Sequence, residues 1–357
     1  MKVTLITCHT PFSARKAGFH WLANSFRRKG WDVNFVTGYS IVDYLKRDYR
    51  FKLLKDTKFN VAIHVEEGFS NYVAFRWWRP FNLQNGYLNK LTQPFFRRYG
   101  DWKKEAFYQS ISGSRIIVLE STYDLLYFPE VKKRNPGAKF IYRVSDDLTT
   151  FNVHPFMIDA EEVLSESFDL VSVPNRAIYN RFKRFCNPVL QPHGIPKYLF
   201  DIETVNPYRS EGKNAIFVGN SSFDHGFLKL CSLNFQDVYF HIIGPIAREV
   251  ESDNVIYYGE IPYKDTIKYI KNADVALSPM ITGGLMESNK IIQYRYCRLP
   301  IVISDVNKGD EDNIFYYTPG NENSIIAAMN AALSCDIEES TRDGVTDWDD
   351  LVEEFAR

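Results

Sequence analysis

The chain has no unbroken apolar stretch of about eighteen residues, so no segment reads as a transmembrane helix. No basic, apolar and small-residue leader precedes the first strand pattern, KVTLIT, and secretion is not expected. The five cysteines, Cys8, Cys186, Cys231, Cys297 and Cys335, are scattered and contain no Cys-x-x-Cys pair. That spacing argues against a disulfide frame and against a zinc site, and it suggests reduced thiols in a cytosolic setting. A formal net charge of -1 gives no general attraction for nucleic acid. No Gly-x-Gly-x-x-Gly follows the first strand, which disfavours an NAD-dependent oxidoreductase. Nor does an Asp-x-Asp motif sit in a plausible strand-end loop, since Asp310, Glu311 and Asp312 fall beyond the strand IVISD in what reads as a surface loop. No bound metal is therefore expected to take part.

What is present is an ordinary globular composition, 45% hydrophobic and 24% charged, over 357 residues. That length fits two α/β domains better than one core. KVTLIT, a loop and a helix from Phe19 to Lys29 capped by Gly30 lead into WDVNFVTG, the parallel crossover of a doubly wound sheet. NVAIHVEEG reads as a third buried strand, and SRIIVLEST as a further one with Glu120 at its carboxyl end. KFIYRVSDDLTTF delivers Asp146 and Asp147 to a strand end, where the ligand crevice of an open α/β sheet lies. Asp201 to Lys213 reads as a hinge, after which NAIFVGN, VYFHIIGP and ADVALSPM begin a second set of strands. In the tail, Trp348, Leu351, Val352 and Phe355 share one helical face. The predicted architecture is α/β, with two Rossmann-like doubly wound parallel sheets facing across a cleft. Residues 1–200 form the acceptor- and membrane-facing half, 201–340 the nucleotide-binding half, and 341–357 a helix returning to the first.

Three groups of residues suggest chemistry. From Ser288 to Asp305 the sequence SNKIIQYRYCRLPIVISD reads as a helix entered from a loop with two glycines and leading into a buried strand. Its N-terminal amides, with Lys290 in the first turn, would cradle phosphate, and Gln293 lies one turn from Asn289 where a ribose could be reached. An ordinary strand–helix–strand unit with a solvated lysine fits the same spacing. Asp146 and Asp147 suit general-base duty, although Ser145 or Asp146 could equally cap a helix. His9, in the loop after the first strand, is a further candidate. Finally, Arg76, Trp77, Trp78, Arg79, Arg97, Arg98 and Trp102 belong to a stretch of rings and cations with Asp101 as its one acid. Such interleaving suits an anionic membrane surface, while packing in a core would account for the rings alone.

The stretch from Asn289 to Ser304 resembles the nucleotide-sugar signature of GT-B glycosyltransferases, N-K-x-x-E-Y-x-A-x-G-x-P-V-V-x-S. Asn289, Lys290, Tyr294, Pro300, Ile301, Val302 and Ser304 keep the pattern. Gln293 stands in place of the ribose-binding glutamate, and Arg298 in place of a turn glycine. With the YRVSDDL strand end and the basic amino-terminal face, the chain is similar to the GumK-like glucuronosyltransferases of glycosyltransferase family 70. That resemblance implies an inverting, metal-independent transfer from UDP-glucuronic acid, which is a substrate and not a cofactor. The acceptor would be a polyprenyl-diphosphate-linked oligosaccharide at the inner face of the cytoplasmic membrane, in exopolysaccharide or capsule synthesis. It also implies Asp146 as base, with Asp147 the fallback, and a donor site of Asn220, Glu260, Ile261, Met280, Ser288, Asn289, Lys290 and Gln293. Arg143 or another cation would meet the sugar carboxylate. A GT-B-fold UDP-sugar epimerase and a non-catalytic sugar-nucleotide or polysaccharide-binding protein are the alternatives.

Overall fold

The structure is a computed structural model that describes residues 1–48, 50–209, 211–219, 222–281, 289–305, 313–335, 342 and 344–357. The chain divides into two compact units, Met1–His193 with Trp348–Arg357, and Gly194–Asp347.

The first unit is built on eight strands: β1 Lys2–Thr7, β2 Asp32–Ser40, β3 Ala62–Glu66, β4 Phe69–Arg76, β5 Ile116–Glu120, β6 Lys139–Arg143, β7 Leu170–Val173 and β8 Pro188–Leu190. They pair in the order β3-β4-β2-β1-β5-β6-β7-β8. All pairings are parallel except β3 with β4. Parallel strands covered on both faces read as continuous apolar runs, as in IIVLE of β5, where every residue is buried.

β3 departs from the expectation of a buried strand. It is a short antiparallel edge strand, largely exposed, and the buried strand is β4, FSNYVAFR. The polar Ser70 and Asn71 mask β4 in the sequence. In the fold Asn71 lies against Thr37 of β2, and Ser70 donates to Asn34, so its polar side chains are matched across strands.

The helix Trp348–Ala356 belongs to this first unit. Trp348, Leu351, Val352 and Phe355 are all buried, each worth roughly 1.5–3 kcal/mol of apolar burial. The Trp348 ring lies so close to Gly18 that a Cβ there would meet it at 3.0 Å. Arg28 and Lys29 pair with Asp349 and Glu353 at the rim.

The second unit holds six parallel strands: β9 Lys213–Val218, β10 Val238–Ile243, β11 Val255–Gly259, β12 Val275–Ser278, β13 Ile301–Ser304 and β14 Ile314–Tyr317. Their order is β11-β10-β9-β12-β13-β14. The division falls at His193 and Gly194 and not at residue 200, because Ile195 and Phe200 pack with Ile267, Ile292, Tyr296 and Val345. The segment read as a hinge is likewise tied to this unit, with the Tyr208 hydroxyl donating to the Tyr269 carbonyl at 2.6 Å. At the carboxyl ends of β9 and β10, Gly244 has φ +135°, and a Cβ on it would stand 1.7 Å from the Gly219 carbonyl oxygen. Only glycine permits that approach.

Candidate functional site

In the first unit, strand order reverses beside β1, which has β2 on one side and β5 on the other. The ends of β1, β5 and β6 therefore come together where an open sheet binds its ligand. β1 leads into Cys8 and His9, β5 ends in Glu120, and β6 leads through Ser145 to Asp146. Cys8, His9, Glu120 and Asp146 line one cavity of about 280 Å³, with Arg79 and Tyr123 on its wall.

Glu120 is buried and accepts a hydrogen bond from the Thr7 hydroxyl. Its oxygen Oε1 lies 3.5 Å from His9 Nε2. Burial pushes the Glu120 pKa up, but the His9 charge and hydrogen bonds from His9, Thr7 and Ser145 outweigh it and hold the group at about 2. Burial pulls His9 down, yet the charge and hydrogen bond of Glu120 leave it raised above its ordinary value.

Asp146 sits next to this pair. Its amide donates to Ser121 Oγ at 3.1 Å, and among the described residues its carboxylate accepts no side-chain hydrogen bond. Burial, followed by the negative charge of Glu120, raises its pKa to about 6, against a smaller opposing pull from His9.

Asp147 is differently placed. Its oxygen Oδ1 accepts from the Thr149 amide at 2.9 Å and the Thr149 hydroxyl at 2.8 Å, and it pairs with Arg181 at 2.7 Å. Asp147 thus caps the turn Leu148–Thr150, the role that the sequence offered to Ser145 or Asp146. Arg143 is buried at the end of β6 and is not among the residues lining the cavity. Its guanidinium donates to Ser172 Oγ at 2.7 Å and to the Gln191 carbonyl at 2.6 Å, and burial lowers its pKa to about 9.

The aromatic and basic stretch is split by the fold. Arg76, at the end of the buried β4, is only 8% exposed and lies among the rings of Trp78, Tyr99, Trp102 and Tyr127, donating to the Tyr99 carbonyl at 2.9 Å. Trp78 packs on Phe95 and Tyr99, and Trp102 on Phe107 and Tyr127. Arg79 is ion-paired to Asp43 at 2.9 Å. These four are committed inside the protein and do not form an open patch, because a guanidinium sheltered by rings is worth more there than in water. Trp77, Arg97 and Arg98 are exposed. They are joined by a set that the sequence did not single out as site residues: Tyr87, Leu88, Leu91 and Phe95 of the helix Gly86–Arg97, all exposed. That helix buries only Asn89 and Phe96, so its apolar side points outward.

In the second unit, β12 ends at Ser278, Met280 bridges to Phe223, and the helix Asn289–Tyr296 begins. Lys290 is largely dehydrated. Its ammonium lies 4.7 Å from the centre of the Phe217 ring, and burial lowers its pKa to about 8. Gln293 is buried one turn on, while Glu260 and Ile261 follow Gly259 at the end of β11. Asn220 and Ser288 lie outside the described residues, as does the side chain of Asn289. Arg298 takes φ +58°, the left-handed conformation in which the signature carries glycine.

The sequence shows Glu120 at a strand end and Cys8 among scattered thiols, but places neither in the site. The signal lay in Cys8 standing beside His9, but the carboxylate that joins them is over a hundred residues away.

Residues 5–174 match the family described as the glucuronosyltransferase GumK N-terminal domain, and residues 225–335 match glycosyl transferases group 1. The chain is 30% identical over 336 residues to the UDP-glucuronate:glycolipid 2-beta-glucuronosyltransferase of Xanthomonas campestris pv. campestris, covering 92% of this chain and 83% of that protein. Among solved structures it is similar to a sucrose-phosphate synthase from Thermosynechococcus elongatus, with a TM-score of 0.66 at 13% identity over 99% of this chain and 97% of that one. It is also similar to a trehalose-phosphate synthase from Burkholderia vietnamiensis, with a TM-score of 0.60 at 9% identity over 100% of both chains. At such identities these structures speak for the fold alone.

Proposed function

The chain belongs to the GumK glucuronosyltransferase family and is a glycosyltransferase of GT-B fold, and on that premise we propose that it transfers glucuronic acid from UDP-glucuronate to a polyprenyl-diphosphate-linked oligosaccharide. The observation that carries the assignment of roles is the contrast between neighbouring carboxylates. Asp147 is spent on a cap and an ion pair, whereas Asp146 lines a cavity with its carboxylate unengaged and its pKa raised to about 6. A base needs that combination at neutral pH: ionised, yet basic enough to take a proton.

In the reaction, Asp146 removes the proton of the acceptor hydroxyl as its oxygen bonds to the anomeric carbon of the donor. The bond from that carbon to the diphosphate breaks, its electron pair leaves with UDP, and attack from the opposite face inverts the centre. Lys290 meets the charge that builds on the departing diphosphate, helped by helix N-terminal amides. A dehydrated ammonium packed against a ring gains a charge-assisted contact when a phosphate arrives. In this reading no divalent metal is required.

The outward apolar face of the helix Gly86–Arg97, with Trp77 and the cations Lys90, Arg97 and Arg98, supports an approach to anionic lipid, where the acceptor's polyprenyl chain is anchored. No helix among the described residues is long and apolar enough to cross a membrane.

The test is a panel of UDP-, GDP- and TDP-sugars read by thermal stabilisation, followed by transfer to a lipid-diphosphate oligosaccharide. UDP-glucuronate should stabilise most, by about 2.7 kcal/mol at a hundred times its Kd. Equal response to all nucleotides, or epimerisation of the donor without transfer, would overturn the reading. Sedimentation with anionic vesicles should be lost in Leu91→Glu with Phe95→Glu; binding that survives these changes would discard the lipid-facing helix.

A further inference from the structure

Cys8, His9 and Glu120 present their ligand atoms to one another at the floor of the first unit's cavity, all within 4.8 Å. The contacts that join them are long for hydrogen bonds. His9 Nε2 stands 3.5 Å from Glu120 Oε1, and Cys8 Sγ 3.9 Å from Glu120 Oε2. A tetrahedral zinc with bonds of about 2.0 Å to nitrogen and oxygen and about 2.3 Å to sulfur sets its ligands roughly 3.3 and 3.5 Å apart. These two pairs, made to different oxygens of Glu120, are longer by a few tenths of an ångström, and the three ligand atoms together lie within 4.8 Å, so the side chains draw inward to close on an ion.

The groups are also held in place. The His9 amide donates to Thr7 Oγ1 at 3.0 Å, the Thr7 hydroxyl in turn donates to Glu120, and Arg50 donates to the Cys8 carbonyl at 2.7 Å. Outer hydrogen bonds of this kind orient metal ligands. A thiolate, an imidazole and a carboxylate form a mixed donor set that favours zinc over magnesium, and together with zinc they leave no net charge.

We propose that the cavity holds a zinc ion bound by the Cys8 thiolate, His9 Nε2 and the Glu120 carboxylate, and that zinc bound there inhibits transfer. Binding releases to solvent both the thiol proton of Cys8 and the proton that His9 Nε2 holds toward Glu120. Three protein ligands leave a fourth corner open, and the space available to it is the cavity that Asp146 lines. Zinc there takes over the His9–Glu120 pair beside Asp146 and occupies the room an acceptor hydroxyl needs. The binding half stands without the transfer reading, whereas the inhibition half rests on it.

The experiment titrates the reduced, metal-free full chain with Co²⁺ and follows its absorption spectrum, then displaces the cobalt with Zn²⁺. The expected result is one thiolate-to-cobalt charge-transfer band with tetrahedral d–d bands, removed by zinc. Cys8→Ser should abolish the charge-transfer band, and His9→Gln should weaken cobalt binding more than about tenfold. Circular dichroism of each variant shows that it is folded. An unchanged band in Cys8→Ser would assign the metal to another cysteine and overturn the site, as would the absence of any thiolate band in the parent chain. Transfer is then assayed with and without Zn²⁺, each variant against its own zinc-free rate. Inhibition reversed by chelator and lost in Cys8→Ser is expected; stimulation, or equal inhibition in Cys8→Ser, overturns the inhibitory role. A chain that binds cobalt through Cys8 but transfers no sugar would fault the transfer reading and leave the metal site intact.

Discussion

The two units dehydrate reactive groups of opposite charge. At the strand ends of the first, Glu120 and Asp146 gather with His9; in the second, the ammonium of Lys290, in the first turn of the helix Asn289–Tyr296, lies against the Phe217 ring, while the buried Asp224 is tied to the Tyr317 hydroxyl and the Phe227 amide. Dehydration acts on both, raising Asp146 to about 6 and lowering Lys290 to about 8. The lesson is that one architecture prepares a base in one half and an anion receptor in the other by the same means. In each, an ionisable group is taken out of water, and its shifted pKa readies it for the proton or charge that a substrate brings.

The hardest blow to that comparison would come from Asp146→Asn. It should lower kcat by on the order of 10²–10⁴-fold while UDP binding stays near the parent value; a rate within a few-fold of the parent would remove Asp146 from the chemistry. The pH profile sharpens the same point. Because the base must be ionised, kcat/KM should rise with pH through about 6, and Glu120→Gln should move that limb to lower pH by removing the charge that raises Asp146. A limb that stays in place would detach Glu120 from it.

Next in size is Lys290→Ala, which should weaken UDP binding by about 1.5–3 kcal/mol in calorimetry. In the parent chain that affinity should fall as pH rises past about 8, where the free ammonium loses its proton. Equal affinity in the variant would leave the second half without its receptor.

Asp147→Asn probes the contrast within the first unit, since it removes the carboxylate from Arg181 but keeps a capping oxygen. The expected effect is a loss of roughly 1 kcal/mol in urea unfolding, with transfer far less affected than in Asp146→Asn. A larger rate loss than that of Asp146→Asn would reverse the assignment. The smallest effect should come from Arg298→Gly. Relief of the positive φ, about 1–2 kcal/mol, is offset by roughly 0.5–1 kcal/mol of glycine chain entropy, leaving a slight stabilisation. A fall in stability would mean that the arginine side chain contributes more than its backbone costs.

Most of the second unit was legible because its strands are short apolar runs ending in glycine or proline, such as NAIFVGN and ADVALSPM, and tertiary packing does not alter that pattern. The first unit was harder. NVAIHVEEG has the apolar content of a buried strand but lies at the edge, and FSNYVAFR hid its burial behind Ser70 and Asn71. Reading past β4 also turned Arg76 into a surface cation, although its guanidinium is enclosed by four rings. Asp146 was visible as a residue at a strand end; what separates it from Asp147 is Arg181, brought near by a helix over thirty positions away. Contacts that distant leave no local periodicity to read.

The helix Trp348–Ala356 belongs to the unit that the chain begins, not the one it has just completed. During synthesis the Gly194–Asp347 unit can therefore mature while the earlier one still waits for its closing piece, with the groove meant for Trp348 and Phe355 open in the meantime. The apolar seat of Trp348 and Phe355 is thus covered only after the Gly194–Asp347 unit has been made.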